Sequence, residues 1–326
     1  MSAILGIDIS KATFDCVLLV DEQSAYQEFE NNSTGFEQLR LWLLEQGITT
    51  ARAAIEATGR YGDALALDLH CAGFTVSLIN PRYIKAFGQS LGKYHKTDKQ
   101  DAQLIALYCQ MHRPEPWTPN SPLLEQLKQE TRHLQNLKTS RQQAANRLGS
   151  GLSDPFVKQQ LVAQIAFLDE QIAALQKQIK QTLLADETLQ HDYKLLLSIP
   201  AIGENTAPII LAEIGNLGDF ETANALAAYA GLTPRLFQSG SSVHRPSHIS
   251  KQGNSHLRTA LYMPALGAPR WNLRCRHLEQ RLQERGKSGK LIVVANMHLL
   301  LRIAYGVLKH QQPYDPLYLH SPALAA

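Results

Sequence analysis

Four carboxylates stand where chemistry is possible. Asp8 lies near the end of the run Ala3-Ile4-Leu5-Gly6-Ile7-Asp8-Ile9, which reads as a buried central strand. A buried Asp must be paired, hydrogen-bonded or bound to a metal, because desolvating a lone carboxylate is costly. Its plainer role is to cap the turn into the next strand. Gly6, inside the same strand, marks a place where a ligand or another backbone comes close. Glu56 ends a second short apolar strand, Ala51 to Glu56. Asp98 and Asp101 are three residues apart and share one helical face. Thr97 and Gln100 also form a capping box there, and acids in a first turn suit the helix dipole for local reasons. Carboxylates at strand ends sit where α/β sheets build their sites. Four of them without His or Cys make a hard oxygen site, suited to Mg²⁺ rather than zinc.

A second stretch carries a different chemistry. Gly231-Leu232-Thr233-Pro234-Arg235, Ser239-Gly240-Ser241-Ser242 and the run from His244-Arg245 to Asn254 form a long polar loop in a helical region. Loops of this length are usually functional or disordered. A serine among Arg and Lys suits a phosphodiester, because the cations hold the phosphate and ease alkoxide formation. Ser-Gly-Ser-Ser is equally ordinary linker composition, and both readings stand at this level.

The elements that must position these groups follow from pattern. Ala12 to Val20 and Ser24 to Glu30 read as two further strands, antiparallel to the first because the connections are short. Asn32-Ser33 caps a helix from about Gly35 to Gln46. Tyr61 to Ala72 reads as a helix and Phe74 to Ile79 as a fifth strand, ended by Asn80-Pro81. Three strands, a helix, then alternating strands and helices describe an RNase-H-like α/β layer, in which Asp8 and Glu56 lie on neighbouring strands. The prolines of 113–122 mark a hinge. Two long helical patterns follow, and Val157, Leu161, Ile165, Leu168, Ile172, Leu175, Ile179 and Leu183 form a heptad seam in the second. The pair reads as an antiparallel coiled-coil hairpin, a spacer or an oligomerisation element. Ile199-Pro200-Ala201-Ile202-Gly203, between two apolar helices, resembles a helix-hairpin-helix, whose amides can hold a phosphate, or it is a packing hairpin. Helices from roughly Ser255 to Leu266, Leu273 to Arg285 and Gly289 to Lys309 close the chain. The expected division is 1–112 for the acid-bearing domain, 113–122 for the hinge, 123–187 for the coiled coil and 188–326 for a helical domain with the serine loop.

Composition narrows the partners. With 326 residues, 44% hydrophobic and 19% charged, the chain has the make-up of a globular protein of two domains. Cys16, Cys71, Cys109 and Cys275 are scattered, which argues for a reducing compartment and against a zinc site. The N-terminus lacks the basic flank and cleavage pattern of a signal peptide. Leu291 to Leu308 is interrupted by Asn296, His298 and Arg302, so it reads as a packed helix and not a membrane span. A cytoplasmic protein is expected. The net charge of +3 hides an asymmetry: residues 231–310 hold 13 Lys/Arg against Glu279 and Glu284, a balance of +11. The remainder carries 19 basic and 27 acidic residues. A polyanion is drawn to the first region and divalent cations to the second.

Taken in order, GIDIS (Asp8), IEATGRYG (Glu56), INP and KTDKQDA (Asp98, Asp101), IPAIG, AGLTPR and SGSSVHRP with SKQGN and LR resemble the DEDD transposases of bacterial insertion sequences. That group includes the pilin-gene invertases and recombinases guided by a structured bridge RNA. The resemblance spans nearly the whole chain. It implies a RuvC-like N-terminal domain whose Asp8, Glu56, Asp98 and Asp101 bind Mg²⁺. It also implies a nucleophile at Ser239, giving a covalent phosphoserine-DNA intermediate. His244-Arg245-Pro246 departs from the family's smaller, Gly-containing pattern, leaving Ser239, Ser241 and Ser242 as alternatives. Double-stranded DNA at the element junction and target, a guide RNA, and self-association to a dimer or tetramer are the implied partners. Arg235, Arg245, Lys251 and Arg258 are the bases expected to meet nucleic acid. The acids and the serine come together, by domain closure or from another protomer.

Three other readings compete. A RuvC-like nuclease shares the acids but activates water and leaves no adduct. A sugar-kinase or actin-like ATPase needs Gly-rich phosphate loops that the sequence lacks. A non-catalytic scaffold uses only the basic region and binds without Mg²⁺.

Overall fold

The computed structural model describes residues 3–21, 23–57, 59–92, 97–235, 238–239, 243–244 and 248–316, with side chains outside 235–248. The chain forms two compact units, divided between Pro119 and Asn120.

Unit 1 is built on a five-stranded mixed sheet. β1 (Ala3–Ile9), β2 (Thr13–Val20) and β3 (Gln23–Glu30) are joined by short turns and run antiparallel. β4 (Ala51–Glu56) returns parallel to β1, and β5 (Thr75–Ile79) parallel to β4, giving the order β3-β2-β1-β4-β5. Alternation along each strand separates two cores. Leu5, Ile7 and Ile55 face α1 (Ser33–Glu45) and α2 (Asp63–Cys71), whereas Ile4, Val17 and Ala54 face α3 (Pro81–Ser90) and α4 (Asp98–His112). Asn32 caps α1 as its sequence predicts, accepting from the Gly35 amide at 2.9 Å. The proline-rich stretch after α4 is pinned where it begins. The Pro114 carbonyl accepts from Arg52 and Ser77, and the Trp117 amide donates to the Val76 carbonyl at 2.7 Å.

Unit 2 is helical. α5 (Pro122–Leu148) and α6 (Pro155–Leu184) lie antiparallel, since Gln126 meets Thr182 at one end and Arg141 meets Asp169 further along. Leu161, Leu168, Ile179 and Leu183 of the predicted seam are buried, while Val157 is exposed. α7 (Glu187–Leu197) and α8 (Ala207–Ile214) flank a turn in which Ala201 adopts φ +85°, a conformation that favours glycine. α9 (Ala223–Tyr229), α10 (Ser255–Trp271), α11 (Leu273–Glu284) and α12 (Gly289–His310) complete the bundle. α10 outruns its predicted end at Leu266 by passing through Pro264 and Pro269. Arg276 stabilises that end by donating to the Pro269 and Arg270 carbonyls. Among the described residues α12 alone is long and apolar enough to cross a membrane. It lies in the core of unit 2, with 56% of its apolar window buried.

Candidate acid site and serine loop

Asp8 and Glu56 lie at one end of one sheet face, and Asp98 and Asp101 lie on the helix that covers that face. Ile7 pairs with Ile55 in the parallel β1–β4 register, and Asp8 and Glu56 are each the next residue. Asp8 is also the cross-strand partner of Asp15 on β2. By alternation Asp8, Asp15 and Glu56 share the face of Ile4, Ala54 and Val17, which α4 covers. α4 crosses β1 at Gly6, where a Cβ would overlap the Ala102 carbonyl oxygen and the Ala106 amide nitrogen. The close neighbour that Gly6 admits is therefore a helix backbone. Asp98 opens α4 and acts electrostatically on Asp15 and Tyr26, while Lys99 Nζ lies 4.9 Å from the Tyr26 ring centroid. Asp8, Glu56 and Asp101 are half-exposed, so the deep burial expected of Asp8 is not seen, and Asp98 is exposed. Thr97 caps α4 by accepting from the Gln100 amide at 3.3 Å, so the local role of this segment is also present.

In chemistry this donor set fits a hard, oxygen-seeking cation. Among the described residues no three Asp, Glu, His or Cys side chains converge into a closed ligand group.

Asp15 escaped the sequence reading. It is buried, and burial raises its pKa; the Tyr26 hydroxyl, donating to its Oδ1 at 2.6 Å, pulls the other way, and Glu28 and Asp98 raise it further. The same hydrogen bond pushes Tyr26 up to about 12. The available signal was a lone acid in the apolar run TFDCVLLV, opposite Asp8 in a hairpin.

The described residues of the serine loop form two short ribbons. β6 (Pro234–Arg235) pairs with β9 (His248–Ile249), and β7 (Gln238–Ser239) with β8 (Val243–His244). Ser239 is thus backbone-paired to Val243, while Ser241, Ser242 and Arg245 lie outside the described residues, as do the side chains of Ser239 and Arg235. Lys251 is exposed at the loop base, its amide donating to the Gly231 carbonyl at 3.1 Å. Arg258 is half-buried and donates to the Ala230 carbonyl at 3.0 Å, which ties it to the end of α9.

A buried network, also missed, clamps that base. Arg132 on α5 donates to both oxygens of Glu213 on α8, at 2.6 and 2.8 Å. Asn254 donates to the same carboxylate at 2.6 Å, and its own carbonyl oxygen caps α10 through the Leu257 amide. An acid in the apolar run APIILAEI was the signal that could have found Glu213.

The comparisons with known proteins agree on one family. A transposase profile of the DEDD, IS110 type matches residues 5–157, and the profile described as "Transposase IS116/IS110/IS902 family" matches 193–280. The pilin gene-inverting protein of Moraxella bovis is 37% identical over 95% of this chain and 97% of its own length. The transposase for insertion sequence element IS1328 of Yersinia enterocolitica is 26% identical, over 79% and 81%. Thermus thermophilus RuvC, solved with a Holliday junction substrate, is 14% identical over 36% of this chain and 100% of its own, with a TM-score of 0.28, too loose a superposition to bear on function. The chain belongs to the DEDD transposase family of IS110, IS116 and IS902, and its class of activity is that of a DNA transposase or recombinase.

Proposed function

We propose that this protein cuts and rejoins DNA strands through a serine nucleophile working with a Mg²⁺-binding acid site on a RuvC-like domain. The observation that supports the reading is that Asp8 and Glu56 end adjacent strands on the face covered by α4, whose first turn carries Asp98 and Asp101. These four carboxylates would hold the metal, which when bound neutralises phosphate charge. Ser239 Oγ attacks the phosphorus, a P–Oγ bond forms, and the bond to the leaving strand breaks. The proton lost by the serine is balanced by the one gained by the leaving oxygen. A strand hydroxyl then attacks the phosphoserine and restores both the phosphodiester and the serine, so that no ATP is consumed.

Partners follow from the same reading. The basic region 231–310 takes the DNA, with Arg235, Arg245 and Lys251 near the phosphates, and a structured guide RNA selects the site. The α7–α8 turn acts as a helix-hairpin-helix on the backbone of the DNA. α5 and α6 serve as a coiled-coil hairpin for self-association, which is supported by Phe156, Val162 and Phe167 left exposed on α6.

The test is a covalent trap. Protein with its co-purifying RNA, Mg²⁺ and the element's end DNA is run on a denaturing gel beside Ser239→Ala and Asp8→Asn. A protein–DNA adduct in the wild type, lost in both variants, is expected. Cleavage without an adduct, unchanged in Ser239→Ala, would leave a hydrolytic RuvC-like nuclease instead.

A further inference from the structure

Within unit 2, α11, α12 and the base of the serine loop enclose a cavity of about 760 Å³. That lies inside the roughly 300–1,000 Å³ range of pockets that take small ligands. Leu278, Leu291, Val294 and Leu299 give it an apolar floor. Arg274, Arg281, Lys287 and Arg302, with His277 and His298, supply its polar lining, and no acid is among the lining residues. Among the described residues none of the four permanent cations has an acidic partner. Nε and Nη2 of Arg274 are buried with no hydrogen-bond partner, and its guanidinium carbon stands 5.7 Å from the centroid of the Tyr314 ring. Burial, with Arg302 beside it, lowers the pKa of His298.

The buried, unpaired guanidinium nitrogens of Arg274 are costly to hold, and Arg281, Lys287 and Arg302 stand exposed around the same cavity with no acid among its lining residues, which marks a place where an anion arrives. The apolar floor asks that the anion also bring a flat apolar body. A nucleotide has both parts. We propose that this cavity seats one unstacked nucleotide of a single nucleic-acid strand, its base over Leu278, Leu291 and Val294 and its phosphates on Arg281 and Arg302. Leu232, Pro234 and Ile249, from the base of the serine loop, form part of the wall, so the seated nucleotide would fix the strand beside that loop. This inference deepens the recombinase reading and rests on it for its biological sense.

Fluorescence anisotropy on the full-length protein, in EDTA so that no cleavage occurs, tests it. The probes are short oligo(dT) and oligo(U), each against an abasic strand of equal length. The base-bearing strand is expected to bind about tenfold tighter or more. Arg281→Gln and Arg302→Gln should each weaken both strands and lower the salt slope by about one. Val294→Trp fills the cavity and should abolish the base preference while leaving abasic binding. Because that variant risks misfolding, dTMP is also titrated into wild-type protein labelled with ¹³C-histidine, where the His277 and His298 signals should shift ahead of the others. A base preference seen only with oligo(dT), or only with oligo(U), supports the pocket and names its source. Equal binding of base-bearing and abasic strands, or silent His277 and His298, would overturn it. Loss of the serine adduct does not change these binding results, and an absent base preference leaves the adduct chemistry standing, so the two failures are distinguishable.

Discussion

Glu213 has no exposed side-chain surface, yet it is an acid in the core of the helical unit. Burial alone would raise its pKa, but the hydrogen bonds from Arg132 and Asn254, with the Arg132 charge, outweigh it and hold the carboxyl below its usual 4.5. A depressed carboxylate stabilises the folded state fully above its unfolded pKa, and that contribution is lost as pH falls through the folded value. Stability should therefore decline below about pH 4.5, and Glu213→Gln should flatten the decline in urea titrations across that range. Glu213→Ala strands Arg132 and Asn254 in the interior. It should cost about 3 kcal/mol, the low end for a broken buried pair because Arg132 keeps some solvent contact. Arg132→Met with Glu213→Leu, which removes both charges, should recover much of that loss. An additive double variant would show that the pair is not coupled. Through Asn254 the same network reaches the root of the serine loop, so the single variants should also slow adduct formation.

Elements decide which residues a sequence can reveal. The strands of unit 1 were legible because alternation and short turns fix them locally, and β4 falls on Ala51–Glu56 as its pattern predicts. Gly6 was legible too, but what approaches it was not, because a close backbone and a close ligand leave the same mark. Asp15 and Glu213 were lost for one reason: each sits in an apolar run whose periodicity dominates, and only tertiary pairing shows what it meets. The serine loop read equally as linker because ribbons two residues long have no period to detect. The Gly6 crossing gives a prediction at this scale. Gly6→Ala pushes the N-terminal half of α4 off β1, because the added methyl meets backbone atoms that cannot rotate away. The strain should cost roughly 1–3 kcal/mol or more. Since α4 carries Asp98 and Asp101, adduct formation should fall well beyond what the lost stability explains, and raising Mg²⁺ should restore part of it. Wild-type activity in a folded Gly6→Ala protein would detach the α4 acids from the chemistry.

Across the whole molecule, the two proposed chemistries fall on different units: the acids lie before Pro119 and the serine loop after it. Charge divides along similar lines, with the +11 balance confined to residues 231–310. On the proposed reading, a strand drawn to the basic unit also needs the carboxylates of the other, supplied within a chain or between chains. Supply between chains has a signature that supply within a chain cannot imitate. Asp8→Asn and Ser239→Ala chains, tagged differently and co-expressed, should form mixed oligomers in which one complete site combines the acids of the second with the serine of the first. Random pairing into dimers makes half of them mixed, each with one complete site of two, so the adduct should return to about a quarter of the wild-type level. It should appear only on the Asp8→Asn chain, because only that chain retains Ser239. No recovery from variants that still bind DNA and co-purify would place the acids and serine of each active site on the same chain.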